Sequence, residues 1–581
     1  MGVVIIYKRN SSGGGGGDLG PYIEGGVENF VSPDGLTKVR NYLFYMHNPL
    51  QTVSLGSSVT SIGQYAFYGC TGLTSVTIGN SVKSIGGYAF DYCSGLTSIT
   101  IPDSVTSIGS FAFSNCSGLT AVHISDLASW CGVSFGEPYA NPITYAHNLY
   151  LNDTLLTQLV IPNTLTDIKK YTFSHCTSLT SVTIPDSVMS IGSGAFSSCS
   201  GLTSIHYTGD IAGWCSIEFS DNPLHDAHSL YISNTLVTDL IIPYGVTKIG
   251  RITFDGCLSL TSVTIPNSVT IIGDYAFRNC SGITGSLTIP DSVTSIGYSA
   301  FYGCSGLTSV TMGNGVTTIE SEAFRGCSGL TSVAIGSGVT SIGTTAFQNC
   351  TGLTSVAWNA TNCTSAGSDS RPIFSGCSNL TTVTIGENVQ TIPPCAFSHC
   401  TSLTSVTIPN SVTSIGEWAF YNCSGLTGTF VIPDNITRIE RYTFGSCSGL
   451  TSITIPAGVT FIGDRAFQSC RSLSSILIPV GVTSIEQNTF YACSSLTSVS
   501  IPDSIVDIGK EAFRSCSALV SISIGSGVTS IGEYALGNCR ALTSISFNGT
   551  KDQWNAISKG TGWNWDTGNY TIHCTDGDIP K

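Results

Sequence analysis

Apolar and polar residues follow a pattern of about 23 residues that repeats along most of the chain. In LTSITIPDSVTSIGSFAFSNCSG, from Leu96 to Gly118, two short runs of apolar residues alternate with Ser and Thr, and Ala-Phe and Cys follow. Two steps are longer, 37 residues after Leu119 and 35 residues after Leu202. Self-similarity at such a period is typical of a solenoid, in which stacked coils bury the apolar face that one coil cannot bury alone.

Each repeat predicts the same elements. The LTSVTI segment has apolar residues at its first, fourth and sixth positions, which predicts a short strand with one buried face. Pro or Gly then turns the chain, and VTSI predicts a second short strand. AFxxC predicts a short helical or 3-10 turn whose Phe fills the core, and Phe67, Phe90 and Phe113 are expected to form one stacked column.

The fold class that follows is a β-rich repeat solenoid, a right-handed stack of 23-residue coils with short strands and short helical or 3-10 turns. Atypical terminal coils are expected, because the open end of a solenoid must be covered. The boundaries that we predict are a flexible Gly-rich tail at 1–26, a solenoid at 27–546 with a degenerate first turn at 27–49, inserted modules at about 122–155 and 205–236, and a C-terminal capping module at 547–581.

The two insertions and the C-terminal segment share one plan, which we interpret as strand, short helix with an anchoring Trp, loop and strand. Trp130, Trp214 and Trp554 are the expected core residues of these modules. Loops on a rigid scaffold often carry function. The loops after the first two Trp residues are therefore candidates for ligand binding, and the candidate residues are Glu137, Tyr139, Asp221 and His225.

Cysteine occupies one position of almost every coil. There are 23 Cys residues, and 18 of them, including Cys70, Cys93 and Cys116, stand at the repeat position. Their Cα–Cβ vectors run parallel in a stack and do not converge as a disulfide requires. A ladder of buried thiols is therefore predicted, with Cys acting as a small hydrophobic residue. Metal binding needs converging ligands, so no metal site is predicted.

The repeat resembles that of one known family. LTSVTIPDSVMSIGSGAFSSCSGL, from Leu179, is similar to the BspA-type leucine-rich repeat, and the resemblance extends from about Val27 to Phe547. It implies a surface or secreted scaffold for adhesion or recognition, which binds a protein or glycan on a host or neighbouring cell. It also implies that the chain is not an enzyme and needs no cofactor.

Composition and charge exclude further classes. Charged residues make up 10% of the chain and the net charge is −14. Nucleic-acid binding is not expected, because phosphates are bound by clusters of Lys and Arg. No run of 18 apolar residues predicts a membrane span. The catalytic motifs HExxH and GxSxG and the Walker loop do not occur.

The surface offers three further candidates, each with a plainer interpretation. The position before Ala-Phe is aromatic in three successive coils, at Tyr65, Tyr88 and Phe111, which predicts either a binding patch or packing between coils. Outward Ser and Thr residues form either a face that binds a ligand by hydrogen bonds or a surface that only keeps the protein soluble. Several His residues lie in the modules, where packing is favoured over metal binding: His123, His147, His206, His225 and His228.

The first residues do not resemble a secretory signal. The apolar stretch Val3–Tyr7 is short and is followed, not preceded, by basic residues. The family resemblance implies an extracellular or cell-surface location. The alternative is a structural or receptor-binding component of a bacteriophage particle or a surface layer. The sequence leaves the ligand and the oligomeric state open.

Overall fold

A computed structural model describes residues 26–581. The predicted tail at 1–26 lies outside the described residues except for Gly26. The described chain divides into two compact units. Unit 1 comprises 26–238 and 250–260, and unit 2 comprises 239–249 and 261–581.

Most coils of unit 1 contain a major strand at the LTSVTI segment and a minor strand at the VTSI segment, as the sequence predicts. The major strands are Asn29–Val31, Thr52–Ser54, Ser75–Thr77, Ser98–Thr100, Ala121–Ile124, Leu149–Leu151, Gln158–Val160, Ser181–Ile184, Ser204–Tyr207 and Leu230–Ile232. The minor strands are Lys38–Val39, Ser61–Ile62, Ser84–Ile85, Ser107–Ile108, Ser134–Phe135, Asp167–Ile168, Ser190–Ile191 and Glu218–Phe219. Two further strands, Thr154–Leu155 and Thr235–Leu236, form hairpins with the major strands before them.

Unit 2 repeats this arrangement over more coils. Its major strands are Asp239–Ile241, Ser262–Thr264, Gly285–Ile289, Leu307–Met312, Ser332–Ile335, Ser355–Trp358, Thr382–Ile385, Ser405–Thr407, Gly428–Val431, Leu450–Thr454, Ser498–Ile501, Ser521–Ile524, Ser544–Phe547 and Thr571–Cys574. Its minor strands are Lys248–Ile249, Ile271–Ile272, Ser295–Ile296, Thr318–Ile319, Ser341–Ile342, Ser365–Ala366, Thr391–Ile392, Ser414–Ile415, Arg438–Ile439, Phe461–Ile462, Ser484–Ile485, Asp507–Ile508, Ser530–Ile531 and Ser558–Lys559. Gly577–Pro580 pairs antiparallel with the last major strand.

The strands of successive coils pair in parallel and in the register of the repeat. Val76 lies opposite Val53, and Ile85 opposite Ile62. Equivalent side chains therefore stack on one another inside the solenoid. Phe67, for example, is buried and lies 5.1 Å from Phe90 between ring centroids. Phe90 and Phe113 are also buried, with their centroids 5.2 Å apart.

The AFxxC segments are hydrogen-bonded turns and contain no regular helix. The Cys70 amide donates to the Phe67 carbonyl, as in a 3-10 turn, at 3.2 Å. Alternate amides point instead to the next coil: those of Tyr65 and Phe67 donate to the carbonyls of Gly87 and Ala89 at 3.0 and 2.8 Å. In a helix these amides would donate to carbonyls of their own segment. Because they donate to the next coil, no regular helix forms.

The cysteine at the repeat position is buried and also forms a bond between coils. The Cys93 thiol donates to the Phe67 carbonyl of the preceding coil at 3.1 Å, and the Cys116 thiol donates to that of Phe90 at 3.1 Å. All 23 cysteines are free thiols, and burial raises the pKa of Cys70 to about 12. In many coils, including those of Cys93 and Cys116, the buried thiol therefore links its coil to the one before, whereas the thiols of Cys176 and Cys257 lie against Ser178 and Ser259 of their own coil.

Glycine at the end of the minor strand serves close packing between coils. A Cβ atom on Gly63 would lie 2.6 Å from the backbone nitrogen of Asn41 in the preceding coil. The left-handed backbone falls elsewhere in each coil, at the residue before Ala-Phe and at the residue before Cys. Tyr65 has a φ of 55° there, and Gly69 a φ of 69°.

The two inserted modules contain short helices at Leu127–Cys131, Ile143–Ala146, Ile211–Ser216 and Leu224–Ala227, and a 3-10 helix at Pro138–Ala140. The segment expected to be a loop after Trp130 is thus partly helical. The buried Trp130 indole N–H donates to the carbonyl of Thr172, and the buried Trp214 indole to that of Thr253. Each Trp thereby ties its module to the turn segment of a later coil.

The C-terminal segment repeats the module with a helix at Lys551–Ala556. Trp554 is buried in it, and the carbonyls of Trp563 and Trp565 accept hydrogen bonds from Leu536 and Asn538 of the last coil. This segment therefore covers the turn segment of that coil. The α-helices in the described residues are four to six residues long, far below the roughly 20 that cross a bilayer.

Candidate functional site: an aromatic surface in unit 1

Five aromatic rings of unit 1 form a continuous column. Tyr65, Tyr88 and Phe111 stand at the position before Ala-Phe, Tyr42 stands at the equivalent position before Leu-Phe, and Tyr139 comes from the first inserted module. Tyr42 stacks on Tyr65 with centroids 4.8 Å apart, and Tyr65 stacks on Tyr88 at 4.6 Å. Phe111 continues the column at 5.1 Å from Tyr88, and Tyr139 lies 6.0 Å from Phe111. Parallel strand register places these side chains one above the other in successive coils.

A second group of rings lies beside this column. Tyr45 stacks on Tyr68 at 4.9 Å, and Tyr68 meets Tyr92 edge to face at 5.7 Å. The two groups touch, because the Tyr65 centroid is 5.6 Å from that of Tyr68. We call the whole set the aromatic surface, and it comprises Tyr42, Tyr45, Tyr65, Tyr68, Tyr88, Tyr92, Phe111 and Tyr139.

This surface is open to solvent. Tyr42, Tyr45, Tyr92 and Tyr139 are each about half exposed, at 53%, 48%, 49% and 47%. Monomeric proteins rarely leave many contiguous apolar side chains in water unless they bind something. The aromatic surface is therefore the main candidate site in unit 1.

The backbone beneath the column has the left-handed conformation that this position has throughout the solenoid, including at Ser299 and Glu322. Tyr42, Tyr65, Tyr88 and Phe111 all have φ between 55° and 59°. Side chains other than those of Gly and Asn are uncommon in this left-handed region, which costs roughly 1–2 kcal/mol for a bulky residue. Stacking between rings returns about 0.5–1.5 kcal/mol for each pair. The column thus stabilises the backbone that presents it.

The electrostatics around the rings favour neutral hydroxyls. Partial burial, followed by repulsion from Tyr88 and Tyr42, raises the pKa of Tyr65. Beneath the surface, burial raises the pKa of Asp91, while a hydrogen bond of 3.0 Å from the Asn115 amide opposes this rise. The raised pKa keeps the Tyr65 phenol protonated and able to donate a hydrogen bond at neutral pH.

The structure joins two candidates that the sequence treats separately. Tyr139, from the first inserted module, stacks on Phe111 and so extends the column predicted at Tyr65, Tyr88 and Phe111. Glu137 precedes the 3-10 helix that carries Tyr139 and is exposed. The aromatic surface therefore ends beside a carboxylate.

The candidates in the second module do not join this surface. The Asp221 carboxylate accepts a hydrogen bond from the Phe196 amide at 3.1 Å, and burial raises the pKa of this group. His225 is exposed and lies 3.4 Å from the Asp255 carboxylate. Asp221 thus holds the turn segment of a neighbouring coil, which is a structural role.

Unit 2 has aromatic rings at the same repeat position, partly exposed like Tyr65 and Tyr88, and arginines lie against them. Trp418 stacks on Tyr442 with centroids 3.8 Å apart. The guanidinium groups of Arg441 and Arg465 lie 5.0 and 5.4 Å from the Tyr442 centroid. Asp464 pairs with Arg441 at 3.2 Å. These rings lie within a charged network.

Histidines in the modules pack against rings. His123 stacks on Tyr150 at 4.9 Å and hydrogen-bonds to Asp153, and His206 stacks on Tyr231 at 4.5 Å. In the part of the chain that the structure describes, no group of three or more His, Cys, Asp and Glu residues could hold a metal ion.

Sequence reasoning missed half of the aromatic surface. Tyr42 and Tyr45 lie in the degenerate first coil, and Tyr68 and Tyr92 follow Ala-Phe by one and two residues. The signal was present in the repeat register, since Phe44-Tyr45 and Phe67-Tyr68 occupy equivalent positions 23 residues apart. It becomes visible when every position of the repeat is compared, including those of the atypical coil.

The solved structures that this chain resembles include several bacterial proteins. A leucine rich cell surface protein from Faecalibacterium prausnitzii A2-165 is 30% identical and covers 69% of this chain and 90% of its own, with a TM-score of 0.30. A leucine-rich repeat protein from Bacteroides ovatus ATCC 8483 is 22% identical and covers 82% and 87%, with a TM-score of 0.29. The pneumococcal vaccine antigen PcpA is 15% identical and covers 75% and 89%, with a TM-score of 0.23.

A comparison with curated proteins gave no significant match. The family profile described as "BspA type Leucine rich repeat region (6 copies)" matches residues 23–135, 144–236, 227–354, 370–495 and 437–558. These matches span most of both units and agree with the strand register and the buried Phe and Cys columns. The chain therefore belongs to the BspA-type leucine-rich repeat family.

Proposed function

We propose that this chain is a non-enzymatic recognition scaffold that binds a protein or glycan at a cell surface through the aromatic surface of unit 1. The observation that carries the proposal is the contact of eight aromatic rings, four of them about half exposed, on one face of stacked coils. The location at a cell surface is proposed from the F. prausnitzii relative, which is named as a cell surface protein.

Physical reasons support binding at this place. Tyr is enriched among the residues that contribute most to protein interfaces, because its ring buries a large area and its hydroxyl forms hydrogen bonds. Stacked rings are already ordered, so binding loses little side-chain entropy. A rigid array of this kind favours a ligand that runs along several coils.

The proposal is tested by removing three central rings. The variant Tyr65→Ala/Tyr88→Ala/Phe111→Ala is compared with the parent for binding to a printed glycan array and to biotinylated surface proteins extracted from cells. A matched control, Trp418→Ala/Tyr421→Ala/Tyr442→Ala, removes three touching rings from unit 2, of which Trp418 and Tyr442 stand at the equivalent position and Tyr421 follows Phe420. Circular dichroism checks that both variants fold.

We expect the first variant to lose binding and the control to retain it. Loss of three well-packed anchors typically weakens binding by at least about 100-fold. Equal binding by the parent and the first variant would exclude the aromatic surface as the site.

A further inference from the structure

The geometry of the column restricts what can bind to it. Tyr65 is nearly parallel to both neighbours, with interplanar angles of 5° to Tyr42 and 3° to Tyr88. At centroid distances of 4.8 and 4.6 Å, both faces of the Tyr65 ring are covered by other rings. A sugar that stacks on an aromatic face therefore finds no free face within the column. What remains for a ligand is a row of ring edges and hydroxyl groups.

The spacing of this row matches one peptide conformation. Two successive steps, 4.8 and 4.6 Å, advance about 9.4 Å along the column. A polyproline II helix repeats every three residues at about 3.1 Å per residue, or about 9.3 Å per turn. A β-strand repeats its side-chain direction every ~6.6 Å and an α-helix turns every ~5.4 Å, so neither stays in step with the rings.

The chemistry of the two partners is also complementary. A polyproline II segment forms no internal hydrogen bonds, so its carbonyl groups are free acceptors. Within residues 26–581, the hydroxyls of Tyr65 and Tyr88 form no hydrogen bond to the protein and are free to donate. Surfaces lined with aromatic rings are an established type of partner for such segments, whose preformed conformation lowers the entropic cost of binding.

The charge at one end of the surface gives the ligand a direction. The exposed carboxylate of Glu137 lies two residues before Tyr139, the last ring of the column. The protein also carries a net charge of −14. A basic residue at the corresponding end of the ligand is therefore favoured.

We propose that the aromatic surface binds a proline-rich segment of a partner protein in the polyproline II conformation, with a basic residue of that segment beside Glu137. Proline residues at every third position lie against the ring edges of every second coil, and tyrosine hydroxyls donate to the free carbonyls between them. This proposal rests on the proposed function, because it takes the aromatic surface as the binding site.

The test uses the full chain and three synthetic probes in fluorescence anisotropy titrations. The first probe is a twelve-residue peptide with Pro at every third position and one terminal Arg. The second is the same peptide with each Pro replaced by Gly, and the third is a β-linked hexasaccharide. Each probe is titrated with the parent, with Tyr65→Ala/Tyr88→Ala, and with the control Trp418→Ala/Tyr442→Ala.

We expect the proline peptide to bind the parent and the control at least about tenfold more tightly than the glycine peptide does. We expect Tyr65→Ala/Tyr88→Ala to abolish this binding, and Tyr65→Phe/Tyr88→Phe, which keeps the stack, to weaken it by about three- to tenfold. Glu137→Gln should weaken the binding of the Arg-bearing proline peptide by about two- to fivefold.

Each other outcome overturns a defined part of the proposal. If the proline peptide binds no better than the glycine peptide, or does not bind, the polyproline II assignment is wrong. If the hexasaccharide binds and Tyr65→Ala/Tyr88→Ala abolishes its binding, the ligand is a glycan and the proposed function stands. If Tyr65→Ala/Tyr88→Ala leaves the binding of every probe and of the surface extracts unchanged, both the polyproline II proposal and the proposed function are wrong.

Discussion

The turn segments of the two units have the same backbone but present different chemistry. In unit 1 the position before Ala-Phe carries stacked Tyr rings that touch one another and water. In unit 2 the rings of Trp418 and Tyr442 alternate with Arg441 and Arg465, whose charges are paired with Asp464. The repeat dictates where a side chain points, whereas its neighbours in adjacent coils decide whether it is available to a ligand.

The interior shows no such difference. Phe67 and Phe90 are 5.1 Å apart in unit 1, and Phe301 and Phe324 are 5.1 Å apart in unit 2. Cys93 and Cys327 each donate to the Phe carbonyl of the preceding coil at 3.1 Å. The buried columns are therefore the same in both units, and the units differ at the residues around the turn that face outward.

The largest expected effect is that of alkaline pH, which should lower the stability of both units. Burial raises the pKa of Cys116 in unit 1 and of Cys447 in unit 2 to about 12, from an ordinary value of 9.0. Between these values the unfolded chain loses thiol protons and the folded chain does not, so stability is present below pH 9 and falls as the pH rises. For each such thiol, the free energy of unfolding falls by up to about 4 kcal/mol over this range.

The measurement is the urea midpoint at pH 8, 9 and 10, with hydrogen exchange to follow each unit. A parallel assay of thiol reactivity at pH 8 should label the 22 buried cysteines only after urea is added, whereas Cys574 is partly exposed. Equal midpoints at pH 8 and pH 10 would contradict the buried thiol ladder.

Loss of a core ring should have the next largest effect, and the same effect in both units. Phe67→Ala and Phe324→Ala each remove a fully buried ring from a stacked column. Each is expected to cost about 3–5 kcal/mol, because the rigid coils cannot close the cavity. Hydrogen exchange of the flanking strands is the appropriate measurement, since repeat arrays can unfold locally. A large effect in one unit and a small one in the other would mean that the two cores are not equivalent.

Loss of one partly exposed ring should affect ligand binding in unit 1 but not in unit 2. Tyr65→Ala removes a ring with two stacking partners, which should cost about 1–3 kcal/mol of local stability and most of the binding to the proline peptide. Tyr442→Ala is the matched change in unit 2 and should leave the binding unchanged. Calorimetry with both variants decides the point, and similar losses of binding would show that the units do not differ in recognition.

Loss of the covering arginines should have the smallest effect. Arg441→Ser/Arg465→Ser removes the guanidinium groups over Trp418 and Tyr442, which are partly exposed ion pairs and cation–π contacts. The stability change should stay below about 1 kcal/mol. Acrylamide should then quench Trp fluorescence more strongly than in the parent, whereas unchanged quenching would mean that the arginines do not cover the rings.

Much of the fold follows from the repeat alone. The strands at Ser75–Thr77 and Ser84–Ile85 were predictable from alternation, and stacking of Phe67 on Phe90 from their spacing of 23 residues. The turn segment was harder, because nothing in AFxxC distinguishes a helical turn from amides that bond to the next coil. The helices within the module loop at Pro138–Ala140 and Ile143–Ala146 were missed for a similar reason, since such short helices carry no periodicity.

The candidate site was predictable in part. The register placed Tyr65, Tyr88 and Phe111 in one column, but Tyr139 comes from an insertion that breaks the register. Asp221 shows the converse case: its sequence position suggested a binding loop, whereas its carboxylate is bonded to the Phe196 amide. Contacts between an insertion and the repeat depend on how the insertion folds, which the repeat pattern does not encode.

The sequence by itself determined the family, the period, the strands and the residues that stack inside the coils. Periodicity fixes these features, because a 23-residue repeat in parallel register leaves one partner for each buried side chain. Only the tertiary structure decided that the Cys93 thiol bonds to the Phe67 carbonyl, that the aromatic rings of unit 1 cover one another's faces, and that arginines lie beside those of unit 2. These features depend on side-chain direction and distance in neighbouring coils, and a one-dimensional pattern specifies neither.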